Sequence, residues 1–82
     1  MRIKKIPLQL AAELMGKNYN FIRIGLQRGI LPIGSAIKTN EGKKYGRYTY
    51  YISPALFMSY TGYSEEDILR IAKMKGYIIG AD

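Results

Sequence analysis

"AAELMGKNYNFIRIGLQRGILP", residues 11–32, decides how this chain is read. It contains the end of one helical pattern and the whole of a second. Only Lys17 and Asn18 stand between Gly16 and the second pattern. Leu10 and Leu14 form an i, i+4 apolar pair, and Gly16 is the stop. Pro7 suits a first-turn position of this first helix. Asn18 has the side chain of an N-cap, so the second helix is predicted from Tyr19 to about Arg28, with Gly29 just past its end. Two short helices joined this tightly read as a helix-turn-helix.

At about 100° per residue, Phe21, Ile22, Gly25 and Leu26 fall on one face of the second helix. Asn20, Arg23, Ile24, Gln27 and Arg28 fall on the other. Gly25 is therefore predicted to face inward. A mid-helix glycine costs about 1 kcal/mol of propensity relative to alanine. Two readings offset that cost differently. Either the helix kinks there, or Gly25 lets the first helix approach closely, with Ala11 or Ala12 as the small partner.

Downstream the period changes from helical to alternating. "SAIK" (35–38) and "RYTYYIS" (47–53) read as two strands, after a turn at Pro32 and Gly34. "TNEGKKYG" (39–46) between them is a turn-rich, basic hairpin loop. In the second strand Tyr48, Tyr50 and Ile52 are expected on the core side, alternating with Arg47, Thr49 and Tyr51. "SPALFMSYTG" (53–62) is a short helix with Ser53 as cap and Pro54 at its first position. Leu56, Phe57 and Tyr60 are expected to pack inward. "SEEDILRIAKMKG" (64–76) is the clearest local helix. Its Ser64 and Asp67 approximate a capping box, acids lead, lysines trail, and Ile68, Ile71 and Ala72 form its apolar stripe. The acidic cluster is thus accounted for as a helix start, and no metal site or cofactor is expected there.

The chain has 82 residues, which reads as one domain, and 48% are hydrophobic. It holds no cysteine and no histidine, so the commonest nucleophiles, general bases and zinc ligands are missing and an enzyme is not expected. No long apolar run or signal-peptide pattern is present, which points to a cytoplasmic protein without a membrane partner. Net charge is +7, unevenly placed: residues 1–53 carry +8 and residues 54–82 carry −1. A basic part beside a neutral one points to a polyanion, nucleic acid first.

The order of elements resembles the excisionase and MerR-type winged helix-turn-helix DNA-binding domains. Ala11, Ala12, Leu14 and Gly16 match the first helix of that pattern, and Gly29, Leu31 and Pro32 match the exit from its recognition helix. Tyr50, Ile52 and Leu56 match the strand-to-helix junction. Residues 6–60 carry the likeness. Gly25 departs from it, standing where an aliphatic residue is usual, and so do the lysine-rich loop and Pro7. The resemblance implies a small α+β winged helix-turn-helix that binds double-stranded DNA, nucleoid-associated, in a phage or mobile element. An excisionase that bends attachment-site DNA for an integrase, bound alongside further copies of itself, is the leading role. A small phage transcription regulator is the alternative. Such domains also occur in terminase small subunits.

In that frame Asn20, Arg23 and Gln27 are the expected base-contacting residues, since amide and guanidinium groups match adenine and guanine edges. Lys17, Asn18, Tyr19 and Arg28 would position the backbone, and Lys38, Lys43, Lys44 and Arg47 would form the basic wing. Arg2, Lys4 and Lys5 add positioning charge. The same residues also fit an ordinary solvated face. The tyrosine-rich "YGRYTYY" (45–51) fits core packing or a stacking platform, with Tyr45 and Tyr51 the two that would face nucleic acid. Outside DNA binding, a protein-interaction module using "YIIGAD" (77–82) and the last helix stays open.

Overall fold

A computed structural model describes residues 3–39 and 47–77. Among them the chain forms four helices and one two-stranded antiparallel hairpin, an α+β arrangement. The elements are α1 (Leu8–Met15), α2 (Tyr19–Gln27), β1 (Gly34–Thr39), β2 (Arg47–Ile52), α3 (Pro54–Thr61) and α4 (Glu65–Met74).

The predicted stop and start signals act as expected, with one shift. Pro7 is the residue before α1, not inside its first turn: it is extended, and its carbonyl accepts from the Ala11 amide at 3.0 Å. Having no N–H, proline opens the helix from that flank through its carbonyl alone. Asn18, Ser53 and Ser64 each cap a helix by accepting a backbone N–H. Gly16 and Gly29 take positive φ, 67° and 68°. Each is followed by an amide that reaches back five residues, Lys17 to Ala12 and Ile30 to Gly25. Only glycine adopts that backbone at no steric cost, so both helices end where the sequence places a Gly.

Every element but β1 puts a buried residue into the core, and β1 packs the half-buried Ala36 against it. Leu10 and Ala11 of α1, Ile22 of α2, Ile52 of β2, Phe57 of α3 and Ile68 of α4 are all buried. α1 and α2 are joined by residues 16–18 and pack together, and the hairpin packs on α2. In α4, Ile68 and Ala72 are buried and Ile71 is half-buried, the expected stripe. In α3 the expectation fails in part: Phe57 and Pro54 are buried, but Leu56 and Tyr60 are exposed. A two-turn helix touching the core along one line buries i and i+3 only.

Gly25 does face inward and is buried, but not against α1. A Cβ there would stand 3.0 Å from Leu31 Cβ and 3.2 Å from Leu31 Cδ2, so Leu31 occupies the space expected for Ala11 or Ala12. The Gly25 carbonyl accepts from both the Ile30 and Leu31 amides, which folds the chain after α2 back onto the helix. Gly34, expected in the turn, is instead the first residue of β1, paired with Ile52. A Cβ there would lie 1.9 Å from the Tyr51 carbonyl oxygen, so only glycine allows the hairpin to begin at this point.

Three acids of α1 and α4, Glu13, Glu65 and Asp67, have partners. Glu65 Oε2 accepts from the Ile3 amide at 3.4 Å, and Asp67 pairs with Arg70 at 2.9 Å. Glu13 of α1 accepts from the Tyr77 hydroxyl at 2.7 Å and lies 3.8 Å from the Lys75 ammonium. The hydrogen bond to the Glu13 carboxylate favours the neutral phenol and raises the Tyr77 pKa above its ordinary 10.0, with desolvation and the carboxylate's charge adding to it.

Candidate nucleic-acid interface

The surface of α2 is divided along its length. Tyr19, Asn20, Arg23, Ile24 and Arg28 are exposed, as expected, and Gln27 is half-buried. Phe21, expected inward, is 48% exposed: it stands at the edge of the stripe made by Ile22, Gly25 and Leu26. Its ring instead carries the Lys17 ammonium at 5.4 Å from the centroid, within cation–π range. On a helical wheel Tyr19, Asn20, Arg23 and Gln27 form a polar half, and Phe21 and Ile24 an apolar one.

The polar half meets the hairpin. Gln27 Nε2 donates to the Tyr50 hydroxyl, tying the last turn of α2 to β2. The Tyr50 ring stacks on Tyr48, with centroids 6.0 Å apart. Lys38 pairs with Tyr48, and Ala36 with Tyr50, so these side chains share the face of the hairpin that Ile52 carries into the core. Burial fades along that face: Ile52 is buried, Tyr50 half-buried and Tyr48 exposed. The expected alternation is right, and the hairpin simply extends past the core. Tyr19 comes near the same place, lining a hollow with Lys5, Gln9 and Tyr50.

The expected site residues are thus sorted. Tyr19, Asn20, Arg23 and Gln27 share one face of α2, and Lys38 stands on the hairpin face that carries Tyr50, the partner of Gln27. Arg47 pairs with Thr39, which puts it on the opposite face of the hairpin from Lys38, so the two basic strand residues do not form one row. Lys17 and Arg28 lie at the apolar half of α2. Asn18 is occupied as a cap, its Oδ1 accepting from the Asn20 amide at 2.7 Å. Lys43, Lys44, Tyr45, Arg2 and the tail 78–82 lie outside the described residues.

Local hydrogen bonds limit what these groups present. Arg23 Nη2 donates to Asn20 Oδ1 at 3.2 Å across one turn. Asn20 keeps its amide hydrogens for an acceptor and the second lone pair of its oxygen for a donor. Gln27 has one amide hydrogen committed to Tyr50 and its carbonyl oxygen left. Among the described residues this surface has one sign, since neither α2 nor either strand contains an acidic residue.

Sequence reasoning missed the Gln27–Tyr50 tie and the exposed apolar half. The first is a contact across 23 residues, without a local signal. The second had a signal, Ile24 on the outward face. Among the described residues no helix is long and apolar enough to cross a membrane, and no group of three potential metal ligands is assembled. Comparison with protein families, with curated proteins and with solved structures gives no match.

Proposed function

We propose that the protein binds double-stranded DNA in the manner of a winged helix-turn-helix, with α2 in the major groove and the hairpin beside it on the backbone. The observation that carries this reading is the surface, free of acids among the described residues, where Asn20 and Arg23 stand exposed and Gln27 joins α2 to the hairpin bearing Lys38. Arg23 would read guanine and Asn20 adenine, and Lys38 would hold phosphate. Gln27 has a double duty, fixing the hairpin to the helix and offering its carbonyl oxygen to a base-edge donor.

The finer role, an excisionase assisting an integrase on phage or mobile-element DNA, rests on the sequence likeness of residues 6–60. Footprinting on the DNA flanking the protein's own gene, at two salt concentrations, tests both levels. Adjacent protected repeats at an attachment site support an excisionase. A single protected promoter site supports a transcription regulator. Lack of any salt-sensitive protection would remove the DNA reading altogether.

A further inference from the structure

The apolar half of α2 does not end at the helix. Phe21 and Tyr60 together border two adjoining depressions. One runs toward Leu14 and Lys17, the other past Ile24 to Ile30 and Arg28. They form one trough between α2 and α3, with buried Leu14 and Leu31 in its floor. Its walls are large apolar side chains left exposed side by side: Phe21 48%, Ile24 42%, Tyr60 52% and Ile30 73%. Contiguous apolar surface of this kind marks an interaction site more often than chance exposure does.

We propose that this trough docks an acidic amphipathic helix of another protein. Three observations select that occupant. Among the described residues Lys17 and Arg28 are the charged residues lining the two depressions, and no acid lines either. Lys17 precedes α2 and Arg28 follows it, so these cations bracket its nine residues, roughly 14 Å of helix. A helix of that length, with apolar residues at i, i+3 or i+4 and i+7 and carboxylates at its ends, matches both the groove and its charges. A second copy of this chain is a poor occupant. Among the described residues its acids lie on α1 and α4, where Glu13, Glu65 and Asp67 already hold partners and Ile68 is buried. Its other most exposed apolar side chains, Ile37 and Met74, sit beside Lys38, Lys73 and Lys75. Two chains of charge +7 also repel.

The docking surface goes beyond DNA binding and does not depend on it. Ile30 and Tyr60 lie off α2, so a helix seated there leaves the Asn20–Arg23 side open. A DNA-bound molecule would thereby recruit a partner whose acidic segment avoids the DNA itself.

The test is selection from a displayed library of random 14-residue peptides against the full chain, with counter-selection on the Ile30→Ser, Tyr60→Ser double variant. Both side chains are largely exposed, and thermal melting of the variant checks that its fold is kept. An Ile37→Ser variant serves as the distant control. The expected result is enriched peptides that are net acidic with helical apolar spacing. Their affinity should fall at least tenfold in the double variant and in Arg28→Glu, and stay unchanged in Ile37→Ser. Four results would overturn the proposal. The first is no enrichment over the double variant. The second is enrichment of net basic or neutral peptides. The third is self-association, seen by sedimentation and lost in the double variant, which would make a second copy the occupant. The fourth is loss of duplex DNA binding in the double variant, which would assign the trough to nucleic acid.

Discussion

Gly25 shows how far a single residue can be read before its surroundings are known. Helical period placed it inward, and it is inward. Its partner is Leu31, brought there by a turn whose amides bond to Gly25's own carbonyl. This makes a definite prediction. Gly25→Ala gains about 1 kcal/mol of helix propensity, yet its new methyl meets Leu31 Cβ at 3.0 Å. Leu31 is held by its backbone hydrogen bond and cannot retreat as a flexible side-chain end could. Overpacking of this kind costs about 1–3 kcal/mol. The expected outcome is a net loss of about 1 kcal/mol in urea denaturation; a gain would mean that Leu31 yields. Arg23 makes the opposite case, since nothing in the fold needs it. Arg23→Ala should leave the melting temperature within about a degree or two, because exposed substitutions cost little. It should cost about 1–3 kcal/mol of binding to the preferred DNA site. Site preference that survives Arg23→Ala would remove α2 as the reading helix.

At the scale of elements, the ends were legible and the contacts between elements were not. Asn18, Ser53, Ser64 and Gly29 act through neighbours within a turn, so their chemistry is written in short stretches. The face of α3 was not legible. Leu56, Phe57 and Tyr60 are all plausible core residues, and only docking decides that Phe57 alone is buried. The hairpin's position against α2 likewise depends on Gln27 and Tyr50 meeting. Tyr50→Phe removes that acceptor while keeping the ring on Tyr48. Stability should drop by about 1 kcal/mol, the usual net worth of such a bond. Amide exchange in β1 and β2 should quicken more than in α1, because the hairpin is tied to the body through this contact. Equal quickening everywhere would mean that the bond stabilises the molecule without positioning the hairpin.

For the molecule as a whole, the informative quantity is where the charge sits. Among the described residues the acids occupy α1 and α4, where Glu13, Glu65 and Asp67 are drawn into hydrogen bonds and ion pairs, while α2 and both strands carry none. If about four phosphates are neutralised, log K for duplex DNA should fall against log[salt] with a slope near −4. Lys38→Ala should weaken all sequences alike and flatten the slope by about 1. Arg47→Ala, on the other face of the hairpin, should change the slope less than Lys38→Ala does. Titrations of each variant across a salt series check this, and equal effects of the two would place both faces against the DNA.

By itself the sequence determined the elements, most of their boundaries and the sign of the charge, because caps, glycine stops, periodicity and charge act locally or by simple addition. It also carried the inward turn of Gly25 and the outward turn of Asn20 and Arg23, which follow from helical geometry alone. Only the tertiary structure decided what met what. Leu31 fills the space beside Gly25, Gly34 admits the Tyr51 carbonyl, and Gln27 joins Tyr50. It also left Phe21, Ile24, Ile30 and Tyr60 uncovered along one trough. Those outcomes depend on how short elements pack in three dimensions, where a side chain's neighbours are set by distant parts of the chain and not by its own period.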